Sequence, residues 1–247
     1  MRTEEEHLPL RTRDALYGGR TEAMRRYYRV KEGEETIEYV DVMSLYPWVC
    51  KYFKFPVGHP TIHLDCGEVQ AMLAKQGLVR CMVLPPRDLY HPVLPYRWKG
   101  RPLFCLCRTC VESSSQRRSS HETASESALT ASWFVDEVWV AVQHGYTVLK
   151  IHEFYEYEVT RYDPKTGEGG HFLQYIDTFL KLKAEASGYP GWVQGLEDED
   201  WYVQLFRDSE GIELDKNMMQ KNAAKRWLAK LCLNSFWRKL TESSNRP

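Results

Sequence analysis

A chain of 247 residues, 43% hydrophobic, 27% charged and 13% aromatic, holds enough apolar material for one or two packed domains and too much for a disordered tail. No apolar run approaches the ~20 residues that cross a bilayer, and MRTEEEHLPLRTRDALYGGR at the start lacks an apolar signal core, so the expectation is an intracellular protein, neither secreted nor membrane-spanning, of unknown compartment (nucleus and mitochondrion both stay open). The formal charge is −1, and seven Cys without an export signal read as reduced thiols or metal ligands rather than a disulfide framework.

In chain order, residues 1–31 are polar around a Tyr17-Gly18-Gly19-Arg20 turn. The β-branched and aromatic run 36–46, TIEYVDVMSLY, predicts a buried strand stopped by Pro47. VRCMVL at 79–84 predicts a second strand, 91–104 an extended, proline-punctuated stretch, and the Ser-, Glu- and Arg-rich 111–127 a loop. Residues 129–144 are expected to form a helix leading into a strand at 146–158, followed by a turn at 163–170. Residues 171–187 carry Phe172, Tyr175, Ile176, Phe179 and Leu182 on one helical side, and Gly188, Pro190 and Gly191 end that helix. A second long helix is expected over 216–238, which has no internal Gly or Pro. Strands first, then a helical pair, gives an α+β class.

The near-neutral total conceals a local asymmetry. Residues 216–240 hold seven basic and no acidic residues, whereas 196–215 hold eight acidic residues against Arg207. These are either two solvated faces, the acidic one a loop, or a polyanion-binding element on a neutral protein.

Two short patterns carry chemistry. The first is Asp41-Val42-Met43-Ser44-Leu45-Tyr46-Pro47. An Asp exposed at a strand tip suits Mg²⁺, which takes one carboxylate together with substrate phosphates; a turn-forming Asp is the plain alternative. The second is the helix from Arg226 through Lys230 and Asn234 to Trp237, which fall along one stripe, with Leu228, Leu231 and Ser235 opposite and free to pack. Two cations, an amide and a ring suit a nucleotide; a solvated basic face is the alternative.

Together, DxxSLYP followed by KxxxNSxW resembles motifs A and B of family B DNA polymerases. With GGRT at 18–21, YVDVMSLYPWV and WLAKLCLNSFW, the wording is similar to the organellar and viral branch, which includes protein-primed and transposon-type enzymes. The resemblance implies a DNA-directed DNA polymerase with palm strands, an inserted subdomain and an antiparallel fingers pair. It implies two Mg²⁺ ions on Asp41 and the Val42 carbonyl, with triphosphate contacts from Ser44, Leu45 and Lys230. Tyr46 would lie under the sugar, Asn234 and Trp237 against the base pair, and Gly18, Gly19, Arg20 and Arg226 against DNA. Lys181 and Lys183 are secondary phosphate candidates. The partners implied are primer-template DNA, dNTP and, for protein-primed relatives, a priming protein. The domain reading is a template-contacting segment at 1–35, palm with motif A at 36–100, an insertion at 101–128, palm or insertion at 129–170, fingers at 171–240 and a tail at 241–247.

Cys107 and Cys110 have the C-x₂-C spacing of half a zinc site, with His121 and Cys105 as further candidates. Transposon-type relatives look similar here but place a Cys-x-His where this chain has Ser119-Ser120-His121. A structural zinc and a set of reduced cysteines both stay open, as does a role of this segment as an interaction module.

The chain departs from the family in three places. Only Glu242 follows the second helix, where the family has a YxDTDS-like hairpin, since Asp198-Glu-Asp200 has DxD spacing but sits in the acidic segment; no exonuclease-type DxE precedes the Asp41 motif; and Arg238 stands where a glycine is expected. Two-metal transfer needs carboxylates from two places. The expectation is therefore a palm-and-fingers part of a polymerase, or a decayed copy that binds nucleic acid, without measurable incorporation on its own.

Overall fold

The computed structural model describes residues 9–241 except 43, 65, 116, 118 and 122, and side chains as far as Phe236. In chain order the elements are α1 (Leu45–Tyr52), β1 (Phe55–Leu64), α2 (Val69–Leu73), β2 (Gly77–Leu84), β3 (Pro95–Trp98), β4 (Arg101–Phe104), α3 (Arg108–Glu112), α4 (Ala124–Ser127), β5 (Leu129–Phe134), α5 (Val135–Gln143), β6 (Thr147–Thr160), α6 (Leu173–Glu185), α7 (Leu196–Glu210) and α8 (Ala223–Thr241). The chain is mixed α/β with an antiparallel sheet, and it divides into two compact units. One joins the chain up to Arg26 with Pro56–Val159; the other joins Tyr27–Phe55 with the chain from Thr160 onward.

The first unit is built on a four-stranded sheet in the order β1-β6-β2-β5, in which β2 pairs antiparallel with both β5 and β6. Alternation along β2 sends Val79, Cys81 and Val83 into the core, all fully buried. They pack with Leu129 and Trp133 of β5, Ile151 and Phe154 of β6, and Val135, Val138 and Ala141 of α5. The Trp133 indole N–H donates to the Pro95 carbonyl at 2.8 Å, tying the β3–β4 hairpin to the sheet. Gly77 opens β2 because a Cβ there would fall 1.9 Å from the Tyr155 carbonyl oxygen.

The second unit centres on α6 and α8, which run antiparallel: the Asn222 N–H donates to the Ala186 carbonyl at one end, and the Tyr175 hydroxyl to the Cys232 carbonyl at the other. Between them, Ile176, Leu233 and Cys50 of α1 are buried, surrounded by Phe55, Phe172, Tyr175, Phe179 and Phe236. The aromatic side expected for α6 is thus its packing face.

Several local expectations give way to tertiary context. Residues 36–42 form no strand, so Asp41 is not at a strand tip; instead α1 begins at Leu45. Pro47 lies in its first turn, where a missing N–H costs nothing. Residues 129–134 are a strand rather than helix, since Leu129 and Trp133 fill the sheet core beside β2. β1 was hidden by Pro56, Gly58 and Pro60, which a strand tolerates at a sheet edge, where it lies. The acidic segment after Gly195 is α7, not a loop; Glu197, Asp198 and Glu199 sit in its first turn, where they complement the helix dipole, and Gly211 (φ 71°) ends it. The final helix starts at Ala223, after a short 3₁₀ turn at Lys216–Met218. Its packing residues are Ala229, Leu233 and Phe236, whereas Leu228 and Leu231 are about half exposed. Among the described residues no helix is long and apolar enough to cross a membrane.

Candidate nucleotide site and candidate metal centre

Within the second unit, the segment leading into α1 faces α6 and α8 across a cavity of about 780 Å³. Asp41, Val42, Ser44, Leu45 and Tyr46 line one side; Lys183 of α6 and Arg226, Lys230 and Asn234 of α8 line the other. Ser44 holds a left-handed backbone (φ 57°, ψ 27°), which costs a non-glycine residue about 1–2 kcal/mol. That residue leads directly into α1, its carbonyl accepting from the Trp48 N–H at 3.0 Å. Its hydroxyl makes no cap to α1 and instead accepts from the Lys183 ammonium at 3.3 Å.

The electrostatics are one-sided. Asp41 is the single carboxylate lining the cavity among the described residues. Among the described residues Lys183, Arg226 and Lys230 form no salt bridge; Arg226 donates to the Ser187 hydroxyl at 3.2 Å. Burial and then the neighbouring charges of Arg226 and Lys230 hold the Lys183 pKa below the usual lysine range. Three cations against the single Asp41 carboxylate leave an excess of positive charge that an incoming anion would offset. Asp41 suits a Mg²⁺ held by one carboxylate plus phosphate oxygens. A second carboxylate to complete a two-ion clamp is not among the described residues lining the cavity.

Sequence reasoning missed what stands behind this cavity. Lys51 is 1% exposed and paired with Asp177 at 2.7 Å, and it donates to the Glu210 carbonyl at 2.5 Å. It pins α1 to α6 and α7. Burial alone lowers its pKa, but the Asp177 hydrogen bond and the charges of Asp177 and Glu210 raise it above the ordinary value. No periodicity marks this lysine as buried.

The remaining sequence candidates separate. Lys181 is taken up by Glu185 at 3.8 Å. Asp200 pairs with Lys216 and the Asp198 carboxylate accepts from the Gln194 N–H, so this DxD does not converge on a metal. Gly18, Gly19 and Arg20 belong to the first unit; the Arg20 guanidinium lies 4.4 Å over the Phe104 ring, donates to the Pro92 carbonyl and pairs with Glu22. The Trp237 and Arg238 side chains, and Glu242, lie outside the described residues.

The first unit holds a separate group. Cys107 immediately precedes α3 and Cys110 lies within it, so both thiols reach the same side. The His121 Nδ1 lies 3.4 Å from each sulfur, and the Ser119 hydroxyl 3.3 Å from the same nitrogen. Among the described residues this is the single cluster of three or more His, Cys, Asp or Glu fit to hold a metal. Burial raises the Cys107 pKa, but hydrogen bonds from Ser119, the Cys110 backbone and Ser127 outweigh it and bring the thiol down to about 7. Cys105 is a neighbour of this group but not one of its three members: it packs against the core, and burial pushes its thiol up to about 12 despite a hydrogen bond from the Cys107 backbone.

Residues 6–190 match the family described as DNA polymerase type B, organellar and viral. The match takes in the Asp41 motif and the Cys/His cluster and ends before α8. A solved structure, Phi29 DNA polymerase complexed with primer-template DNA and incoming nucleotide substrates, aligns with 81% of this chain at 16% identity and a TM-score of 0.41. The chain spans about a quarter of that polymerase's length, 25% being covered. No curated protein matches the chain. With three quarters of its length matched by one family, the chain belongs to the organellar and viral type B DNA polymerases.

Proposed function

We propose that the second unit is the dNTP-binding part of a DNA-directed DNA polymerase. The observation that carries this is the convergence of Asp41, the left-handed Ser44 and three cations on one cavity. Lys183, Arg226 and Lys230 would neutralise the triphosphate, as point charges in the case of the lysines. Ser44 and Leu45 would add contacts at the start of α1, Tyr46 would lie under the sugar and exclude a 2′-hydroxyl, and Asn234 with Trp237 would line the base pair. Asp41 and the Val42 carbonyl would hold Mg²⁺, which supplies charge neutralisation for phosphoryl transfer. In this reading α6 and α8 are the fingers pair, and primer-template DNA is the second partner, contacted in part by Arg226. Because transfer depends on positioning from two carboxylate sources, these residues bind nucleotide without extending a primer. Beside that role, we read Cys107, Cys110 and His121 as three ligands of a zinc ion.

Titration of dATP with Mg²⁺ into the purified chain tests the reading, alongside primer extension with Mg²⁺ or Mn²⁺. Mg²⁺-dependent binding that Asp41→Asn weakens, without extension, is expected. Absence of nucleotide binding would refute the site. Extension that vanishes in Asp41→Ala would show that the missing carboxylate comes from within the chain.

A further inference from the structure

The zinc reading has a geometric consequence for the fourth corner of the site. With Zn–S near 2.3 Å and Zn–N near 2.05 Å, tetrahedral angles separate a bound sulfur from a bound nitrogen by about 3.6 Å. The Cys107 and Cys110 sulfurs lie 3.4 Å from His121 Nδ1, close to that spacing before any ion is present. An oxygen ligand near 2.05 Å would lie about 3.3 Å from the same nitrogen. The Ser119 hydroxyl is at 3.3 Å, the separation that a fourth ligand would have from that nitrogen. A neutral hydroxyl is a poor zinc ligand beside two thiolates. Ser119 also lines two surface cavities, of about 450 and 510 Å³, each of which also touches Cys107 and Arg87.

We propose that this cluster, given the zinc reading on which it rests, is a three-ligand Cys₂His centre whose fourth position is an exchangeable oxygen, Ser119 or a water held by it, open to an incoming thiolate. Structural sites are closed by four strong protein ligands; a centre with three keeps one coordination position for an outside ligand. When a solution thiol binds, its sulfur replaces the oxygen on the metal and its proton passes to solvent, with no change of oxidation state.

The test uses the whole chain, kept reduced with a phosphine and loaded with Co²⁺, whose thiolate charge-transfer absorption scales with the number of bound sulfurs. One equivalent should bind. Adding 2-mercaptoethanol should raise that absorption by about half, from two sulfurs to three. Ser119→Cys should show the same rise without added thiol and no further response to it. Cys110→Ser should lose most of the bound metal, and Cys105→Ser should retain it. No metal uptake by the unmodified chain would overturn the zinc reading itself. Metal uptake with no response to thiol, or with loss in Cys105→Ser, would leave zinc in place and overturn the open fourth position.

Discussion

Replacing Lys230 by Gln should pull stability and binding in opposite directions. In the free protein Lys230 is one of three cations facing the cavity with no carboxylate paired to them, and it is among the causes that depress the Lys183 pKa, after burial and Arg226. Removing it relieves a like-charge contact of about 0.3 kcal/mol, the size seen for neighbouring charges on a helix surface. For a chain of this size that raises Tm by about 1 °C. With a triphosphate bound the same ammonium makes a charge-assisted hydrogen bond. Solvent screening holds this to the lower end of the usual range, about 1.5 kcal/mol, so dATP affinity should fall roughly tenfold. The pH dependence follows from the sign of the Lys183 shift. Its folded pKa lies below the unfolded value near 10.4, so the folded state resists the proton, and its contribution to stability grows as pH rises between the two values. A bound triphosphate favours the charged form, so dATP affinity should decline as pH climbs through the folded pKa. Thermal melts and calorimetric titration at low salt, across alkaline pH, read both effects. If Lys230→Gln lowers Tm and leaves dATP affinity unchanged, the cations are a solvated face and the phosphate reading is wrong.

The same cations should make binding to duplex DNA salt-dependent. Each neutralised phosphate contributes about −0.9 to the slope of log K against log salt, so Arg226→Glu with Lys230→Glu should flatten the slope by about 1.8; an unchanged slope would place DNA elsewhere. Lys51→Met should destabilise by about 1–2 kcal/mol in urea, a discounted figure because Asp177 and Glu210 keep 28% and 30% side-chain exposure. The raised Lys51 pKa means its contribution is full below about 10.4 and lost as pH rises through the folded value, so the variant should lack part of the wild-type alkaline destabilisation. Trp133→Phe should cost about 1–3 kcal/mol by leaving the buried Pro95 carbonyl without its donor, measured by chemical denaturation; no loss would mean that water replaces the indole.

The sequence by itself determined what depends on neighbours along the chain. The spacing of Asp41, Ser44 and Tyr46 pointed to a polymerase motif, and the family match over 6–190 agrees. The C-x₂-C of Cys107 and Cys110 marked a candidate half-site, and the two thiols do lie together beside His121, since one helical turn brings i and i+3 near each other. The aromatic side of α6 was legible because helical periodicity survives in any fold that buries one face. Where helix and strand compete for the same residues, composition misleads. The β-branched run at 36–42 finds no partner strand, while Leu129–Phe134, read as helix, is claimed by β2. Only the tertiary structure could gather Lys183 with Arg226 and Lys230 about Asp41, since that depends on the antiparallel packing of α6 against α8 and on Asp41, which lies more than a hundred residues earlier in the chain. Likewise only packing could bury Lys51, because a lysine's default is solvent and its pairing with Asp177 and Glu210 leaves no trace in local pattern. The surroundings of Cys107, Cys110 and His121 have the same origin: the core holds Cys105, and the loop that carries His121 brings the Ser119 hydroxyl to 3.3 Å from its ring nitrogen.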